Sequence, residues 1–457
     1  MDMQGLSHKE SFGGGTLRFL VLVDSRLNRH ETEGNLIPTN ERASALRRQV
    51  IHLVGYMAPW SRRRHHLHGD SGLVRTPCHE SKERVPARLR LLMRLDELEY
   101  DLPAKQVAQR PLDRRDASRL LLLNRSSGAF EDLLFAELPE ILQGNELMVL
   151  NNARVIPARL FGHRAGVHSQ KPSRSTRAEH LTGTVEILLS RQVEPDVWEA
   201  LVRPGRKMHI GERVFFGVGE LEGEVIARGE FGLRTLRFIS NDQHTVNEHI
   251  ERLGHVPLPP YIGRVDDHTD RERYQTVFAK HPGAIAAPTA GLHFSPETLL
   301  RIRKRGVEVS ELTLDVGLGT FQPVHGETLE HHVMHSESYE IPDETADRVN
   351  AGRAAGRPIL AVGTTVVRAL EDSAQRAANS GSPELVRAGK AEAQLFITPG
   401  FCFRAVDCLL TNFHLPRSTL LALVCAFASR EYVLNAYRHA VELRYRFYSY
   451  GDCMLIR

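Results

Sequence analysis

The chain has 457 residues, 41% of them hydrophobic and 25% charged, the balance of a globular protein large enough for two or three domains. No run of about 18 apolar residues occurs, which excludes a membrane-spanning helix, and the short apolar stretch 17–23 has no cleavage site behind it, which argues against a signal peptide. The cysteines, Cys78, Cys402, Cys408, Cys425 and Cys453, are odd in number and form no C-x-x-C pair, so neither a disulfide framework nor a zinc knuckle is supported and a reducing, cytoplasmic setting is expected.

The net charge of +3 hides an asymmetry. Residues 1–92 carry 15 Lys/Arg against 9 Asp/Glu, whereas the remainder carries 44 against 47. Any nucleic-acid surface on the main body must therefore be a local patch. The same 92 residues hold Gly13-Gly14-Gly15, Arg62-Arg63-Arg64-His65-His66 and little hydrophobic periodicity. They read as a low-order basic extension: a disordered tail or an upstream start codon rather than an RNA-binding arm.

From Met93 the pattern sharpens. The run 147–150 ends in Asn151-Asn152 and predicts a strand with a turn after it; the polar stretch 163–182 predicts a surface loop. Short alternating segments at 185–189, 197–202, 213–216, 224–227 and 233–239 recur with Gly-rich turns between them, which predicts a small β-barrel or sandwich. After Pro257 strands alternate with helices. Ser295-Pro296-Glu297 opens a helix that Gly306 closes, and a strand follows over 307–314. Helices are expected at 343–355 and at 366–378, the second capped by Thr364 or Thr365 after a strand at 359–362. A strand is expected at 394–398, and helices at 418–428 and 431–445. The pattern describes an α/β main domain, 93–160 with 255–457, carrying an inserted small β-barrel domain over 161–254.

The standard nucleotide signatures are missing. There is no G-x-x-x-x-G-K-[ST], and Gly317-Leu318-Gly319 has neither a third glycine nor a following helix. Polar clusters sit instead at strand ends. Thr289, Gly291 and His293 lie in a small-residue turn that admits close approach of a flat ligand. Gly363-Thr364-Thr365 opens a helix where N–H groups meet anionic or polar ligand atoms, with Arg368 one turn on. Asn412, His414 and Ser418 run from a strand into a helix. Arg444 and Arg446 alternate with Tyr445, Phe447 and Tyr448, a basic–aromatic interleaving that suits RNA or, equally, a solvated helix end. The run Glu330–Glu337 holds His331, His332 and His335 at helical spacings, but no helix signal or third ligand accompanies them. Acid–base or substrate roles for His335 and Glu337 are preferred to a metal site.

Several stretches together carry a resemblance: Asn151–Leu160, His255–Ile262, Tyr274–Val277, Ala287–Phe294, Gly319–Val324, His335-Ser336-Glu337, Val362–Thr365, Thr411–Pro416 and Tyr448–Asp452. From Met93 onward the chain resembles the S-adenosylmethionine:tRNA ribosyltransferase-isomerases of queuosine biosynthesis. The resemblance implies that the ribosyl part of S-adenosylmethionine, a co-substrate, is transferred and isomerised onto 7-aminomethyl-7-deazaguanine at the tRNA wobble position. Epoxyqueuosine-tRNA results, with adenine and methionine released. It implies a monomer and no metal, and the lack of an apolar run gives no membrane partner. The sulfonium acidifies the C5′ proton, which a carboxylate or imidazole could remove; the candidates are His293, Asp315, His335, Glu337 and Asp452. Asp452 or Glu337 is expected to take the proton, while Thr364, Thr365 and Arg368 hold the donor. Thr289, Gly291, Gly363, Asn412, His414, Ser418 and Tyr450 complete the expected binding set. Asp315 stands where the family usually shows His, Cys453 where a small residue is usual, and the 163–182 loop is longer than typical. Asp315 is the one feature that supports the alternative, a catalytically silent tRNA-binding homologue.

Overall fold

The computed structural model describes residues 93–166, 183–317 and 336–457. The basic extension, most of the 163–182 loop and the histidine run through His335 lie outside the described residues.

The strands, in chain order, are β1 Arg119–Leu123, β2 Phe130–Leu134, β3 Leu147–Asn151, β4 Ala153–Val155, β5 Arg159–Arg164, β6 Thr184–Glu194, β7 Val197–Arg203, β8 Arg213–Phe216, β9 Leu221–Arg228 and β10 Leu233–Ser240. They continue with β11 His281–Ala284, β12 Glu308–Leu314, β13 Glu337–Ile341, β14 Ile359–Val362, β15 Gly389–Ala393, β16 Cys408–Asn412 and β17 Cys453–Ile456. Among the described residues nine of them form one mixed sheet in the order β15-β13-β12-β3-β14-β16-β17-β1-β2. Its centre, β12-β3-β14-β16, is parallel. The continuous apolar run of β3 follows from this position, because both faces of the sheet are covered. Leu147 and Val149 enter one core with the helices Asp343–Ala354, Thr364–Asn379, Thr419–Ala428 and Arg430–Glu442. Met148 and Leu150 enter the other with the helix Pro296–Lys304. Leu360 and Val362 follow Met148, while Ile359 and Ala361 follow Val149, as the period of two requires.

The second body is a closed barrel, β10-β7-β6-β5-β8-β9, which removes every sheet edge. Inward residues such as Leu160, Ile187, Ala200, Phe216, Val225 and Leu236 fill it. The helix Val246–Leu253 packs Val246 and Ile250 onto that core and begins with a capping box in which Thr245 Oγ1 accepts from Glu248 N and Thr245 N donates to Glu248. Arg159 and His255 pair as an antiparallel bridge, so the chain enters and leaves the barrel at one place.

Three expectations need correction. The strand expected at 394–398 is irregular backbone, and the edge strand is Gly389–Ala393 instead. Its polar composition gives no periodic signal, and pairing to β13 alone defines it. Thr364 and Thr365 do not cap their helix: Gly363, at φ 94°, holds the cap position and no side chain caps the first turn. Between barrel and sandwich, strand order decides for a closed barrel that includes β5, which the alternation missed. Among the described residues no single helix is long and apolar enough to cross a membrane. The pair Thr419–Ala428 and Arg430–Glu442, bent by 115°, buries its apolar residues in the sheet core.

Candidate active site

A cleft of roughly 720 Å³, its mouth included, opens at the carboxyl ends of β14 and β16, the place where parallel sheets bind ligands. Gly363 follows β14 directly and makes the turn with a positive φ that suits glycine. The helix behind it, Thr364–Asn379, presents its uncapped first turn, with orphan N–H groups, at this cleft. Thr289 enters from the short 3-10 turn Thr289–His293, and Ser418 caps the helix Thr419–Ala428 by accepting from Leu421 N. Thr364, Thr365, Asn412 and His414 also line the cleft.

One imidazole lines the cleft and a second stands behind Asn412. His414 Nε2 lies 2.8 Å from Thr411 Oγ1, and burial pushes its pKa down to about 3. His293 Nδ1 lies 2.7 Å from Ser118 Oγ and its Nε2 3.2 Å from Asn412 Nδ2. Since the Asn412 amide also donates to Tyr448 O at 3.0 Å, Nε2 of His293 accepts and Nδ1 carries the proton. Burial, then Arg446 and Arg115, lower the His293 pKa to about 3. Both rings are neutral at neutral pH. Asn412 Oδ1 is buried without a partner, the kind of open acceptor that an incomplete site leaves.

One wall of the cleft escaped the residue-type reasoning. Tyr261 Oη and Ser449 Oγ are 2.6 Å apart, and both line the cleft with Tyr448. Each belongs to a stretch that carried the family resemblance, so position, not chemistry, was the available signal. Asn151 holds the cleft from behind: its Nδ2 donates to Leu314 O at 3.0 Å and to Thr365 Oγ1 at 3.4 Å.

Other expected residues lie off the cleft surface. Arg368, one turn below Thr364, forms a buried ion pair with Glu337, and its Nη2 donates to Ala393 O at 3.3 Å. Glu337 Oε1 accepts from Gly317 N at 3.4 Å. Asp315 follows β12; its backbone N donates to Ser338 O, its Oδ1 has no partner, and burial raises its pKa. Asp452 accepts from Arg119 N at 2.9 Å and from Arg446 N at 2.7 Å, which ties the C-terminal loop down. Tyr450 donates to Asp270 Oδ1 at 2.7 Å. At Gly291 a Cβ would come within 2.7 Å of Phe278 and Thr276, so its size serves packing. His335 lies outside the described residues.

The basic–aromatic segment is not a stacking platform. Tyr445, Phe447 and Tyr448 are buried in the sheet core, and the Arg119 guanidinium sits 3.9 Å over the Tyr445 ring. Among the described residues one group, Asp242, His244 and His249 beside the barrel, brings metal-ligand atoms within 4.8 Å of one another. There Arg252 Nη2 stands 3.0 Å from His249 Nδ1, a positive charge that opposes a cation.

Fold and cleft together define an α/β protein with an inserted barrel and a polar ligand site at its strand ends. Residues 95–456 match the family model described as queuosine biosynthesis protein. Over 369 residues the chain is 53% identical to an S-adenosylmethionine:tRNA ribosyltransferase-isomerase of Solibacter usitatus, covering 80% of this chain and 100% of that one. It is 47% identical over 364 residues to the protein of the same name from Moorella thermoacetica, again covering 80% and 100%. The crystal structure of an S-adenosylmethionine tRNA ribosyltransferase from Thermotoga maritima is similar at 36% identity, 79% and 100% coverage and a TM-score of 0.42. The chain belongs to the queuosine biosynthesis protein family.

Proposed function

We propose that the chain transfers and isomerises the ribosyl moiety of S-adenosylmethionine onto 7-aminomethyl-7-deazaguanine at the tRNA wobble position, giving epoxyqueuosine-tRNA and releasing adenine and methionine. The observation that carries this reading is the convergence of three strand-end segments on one cleft: Thr289, Thr364 with Thr365, and Asn412 with His414. These are the hydroxyl, amide and N–H groups a nucleoside sulfonium with a carboxylate tail requires. The uncapped helix start takes the methionine carboxylate, and Asn412 Oδ1 and His414 address the adenine.

Glu337 is the proposed base for the C5′ proton. Asp452 is the second candidate: its oxygens accept from Arg119 N and Arg446 N, just as those of Glu337 accept from Gly317 N and Arg368, whereas His293 and His414 are poor bases at a pKa of about 3. Arg368 holds Glu337 in place, and methionine departs as a neutral thioether that needs no acid. His335 and Asp315 stay in the proposed set as neighbours of Glu337 and β12. The domain division, 93–160 with 255–457 around a 161–254 insertion, a monomeric state, a cytoplasmic location away from membranes, and independence from metal complete the proposal. The test is to mix the full chain with S-adenosylmethionine and tRNA bearing the aminomethyl-deazaguanine base and follow adenine by chromatography. Adenine release that depends on that tRNA is expected. Binding of the tRNA without adenine release would mark a silent homologue.

A further inference from the structure

Beside the cleft, and sharing Ser449 with it, lies a second, shallow pocket lined by Arg114, Arg115, Arg273, Ser118 and Gly451. Its charges are unusual. Arg115 donates to Leu292 O at 3.2 Å and Glu272 O at 2.9 Å. Arg273 donates to Asp113 O at 2.9 Å and Leu112 O at 2.7 Å, and its Nε is buried with no partner. All these acceptors are neutral carbonyls. Among the described residues neither guanidinium has a carboxylate within 4.0 Å, unlike Arg114, which pairs with Asp116 at 3.0 Å. Burial and then the neighbouring Arg273 lower the pKa of Arg115; Glu272 opposes this only from beyond ion-pair distance.

Two neighbouring, part-buried guanidiniums held by neutral carbonyls carry charge that no carboxylate of the protein offsets, and an anion would complete them. The remaining N–H donors of each fork match a tetrahedral oxyanion. The third wall places no negative charge against such a ligand: the neighbouring His293 is hydrogen-bonded to Ser118, and Gly451 packs tightly on the Arg446 backbone, where a Cβ would meet Arg446 O at 2.5 Å.

We propose that Arg115 and Arg273 form a phosphate-binding pocket that holds one backbone phosphate of the RNA whose base enters the adjoining cleft. This rests on the ribosyl-transfer reading above. The shared Ser449 sets the phosphate next to the reacting nucleotide, so the pocket positions the RNA and does not take part in bond making.

The experiment measures tRNA binding to the full chain as a function of salt, with Arg115→Gln, Arg273→Gln and the exposed Arg114→Gln. Each lost phosphate contact is expected to reduce the slope of log K against log salt by roughly 0.7–0.9 and to weaken binding about 5-fold near 0.1 M salt. KM for tRNA rises accordingly while KM for S-adenosylmethionine does not. Arg114→Gln, whose side chain is solvent-facing, preserves the fold and is expected to show a smaller slope change of the same sign. Unchanged slopes in all variants would overturn the pocket even where the wild-type chain releases adenine. A wild-type chain that binds tRNA with these slopes but releases no adenine would sink the enzymatic reading alone. Inorganic phosphate is the second arm: saturable phosphate binding lost in Arg273→Gln, with tRNA slopes unchanged, would assign the pocket to a free anion and overturn the RNA contact.

Discussion

Tyr261 and Ser449 meet across the cleft with their hydroxyl oxygens 2.6 Å apart, joining the segment that leaves the barrel to the loop that precedes the last strand. Burial pushes the Tyr261 phenol up to about 12, so it stays a neutral donor. Tyr261→Phe removes one hydrogen bond, worth about 1 kcal/mol, and is expected to raise KM for S-adenosylmethionine roughly 5-fold with a smaller effect on kcat. Steady-state kinetics with the nucleoside varied check this; an unchanged KM would place the pair outside the donor site.

Glu337 and Arg368 are a buried pair, and removing one partner strands the other. Glu337→Gln is expected to cost about 3–5 kcal/mol of stability and to lower kcat by roughly 100-fold or more if the carboxylate removes the C5′ proton. Exchange of the C5′ hydrogen with solvent separates the two effects, because a folded variant that still exchanges it at the wild-type rate would clear Glu337 of that role.

Asp452 anchors backbone. Asp452→Asn replaces one acceptor oxygen by a donor that faces an N–H group, at a cost of about 1–3 kcal/mol. The expectation is a lowered melting temperature with turnover of the folded fraction within a few fold of wild type. A large loss of kcat without loss of stability would restore Asp452 as the base.

His293 and His414 bind their protons only near pH 3 in the fold, whereas the unfolded chain takes them up near 6.5. The unfolded state therefore holds more protons between those values. Their neutral burial is fully compatible with stability above about pH 6.5, and stability falls as pH drops toward 3, by up to about 1.4 kcal/mol per pH unit for each ring. Urea unfolding at pH 6.5 and 5 should show the loss, and His293→Gln should reduce the difference by about 2 kcal/mol. A pH-independent unfolding free energy in this range would contradict the burial of both rings.

Asp315 is a buried carboxyl with one oxygen unpartnered and its pKa raised by burial. Asp315→Asn spares the cost of ionising it and is expected to leave stability unchanged or improved by up to about 1 kcal/mol, with adenine release within about 3-fold of wild type. Asp315→His is expected to fare worse in stability, because Gly283 packs so closely that a Cβ there would lie 2.8 Å from Asp315 Oδ1. Thermal melts and turnover of both variants decide the point.

Local chemistry was enough for much of the architecture. The apolar run at β3, the alternating barrel strands and the Ser295-Pro296 helix start each depend on neighbours a few residues away, so period and capping reveal them directly. Thr289, Thr364 and Asn412 were also readable as ligand-facing, because strand ends in parallel sheets open toward ligands. Tertiary structure alone decided the rest. Glu337 meets Arg368 only because β13 lies two strands from β3 in the sheet order, and the polar edge strand Gly389–Ala393 exists only through its pairing to β13. Tyr445 and Phe447, which in sequence suit RNA, are core residues because the chain folds back under the sheet. The nearness of Arg115 and Arg273, 158 positions apart in the chain, has no local signature: that both line one pocket follows from the packing that brings their backbones together.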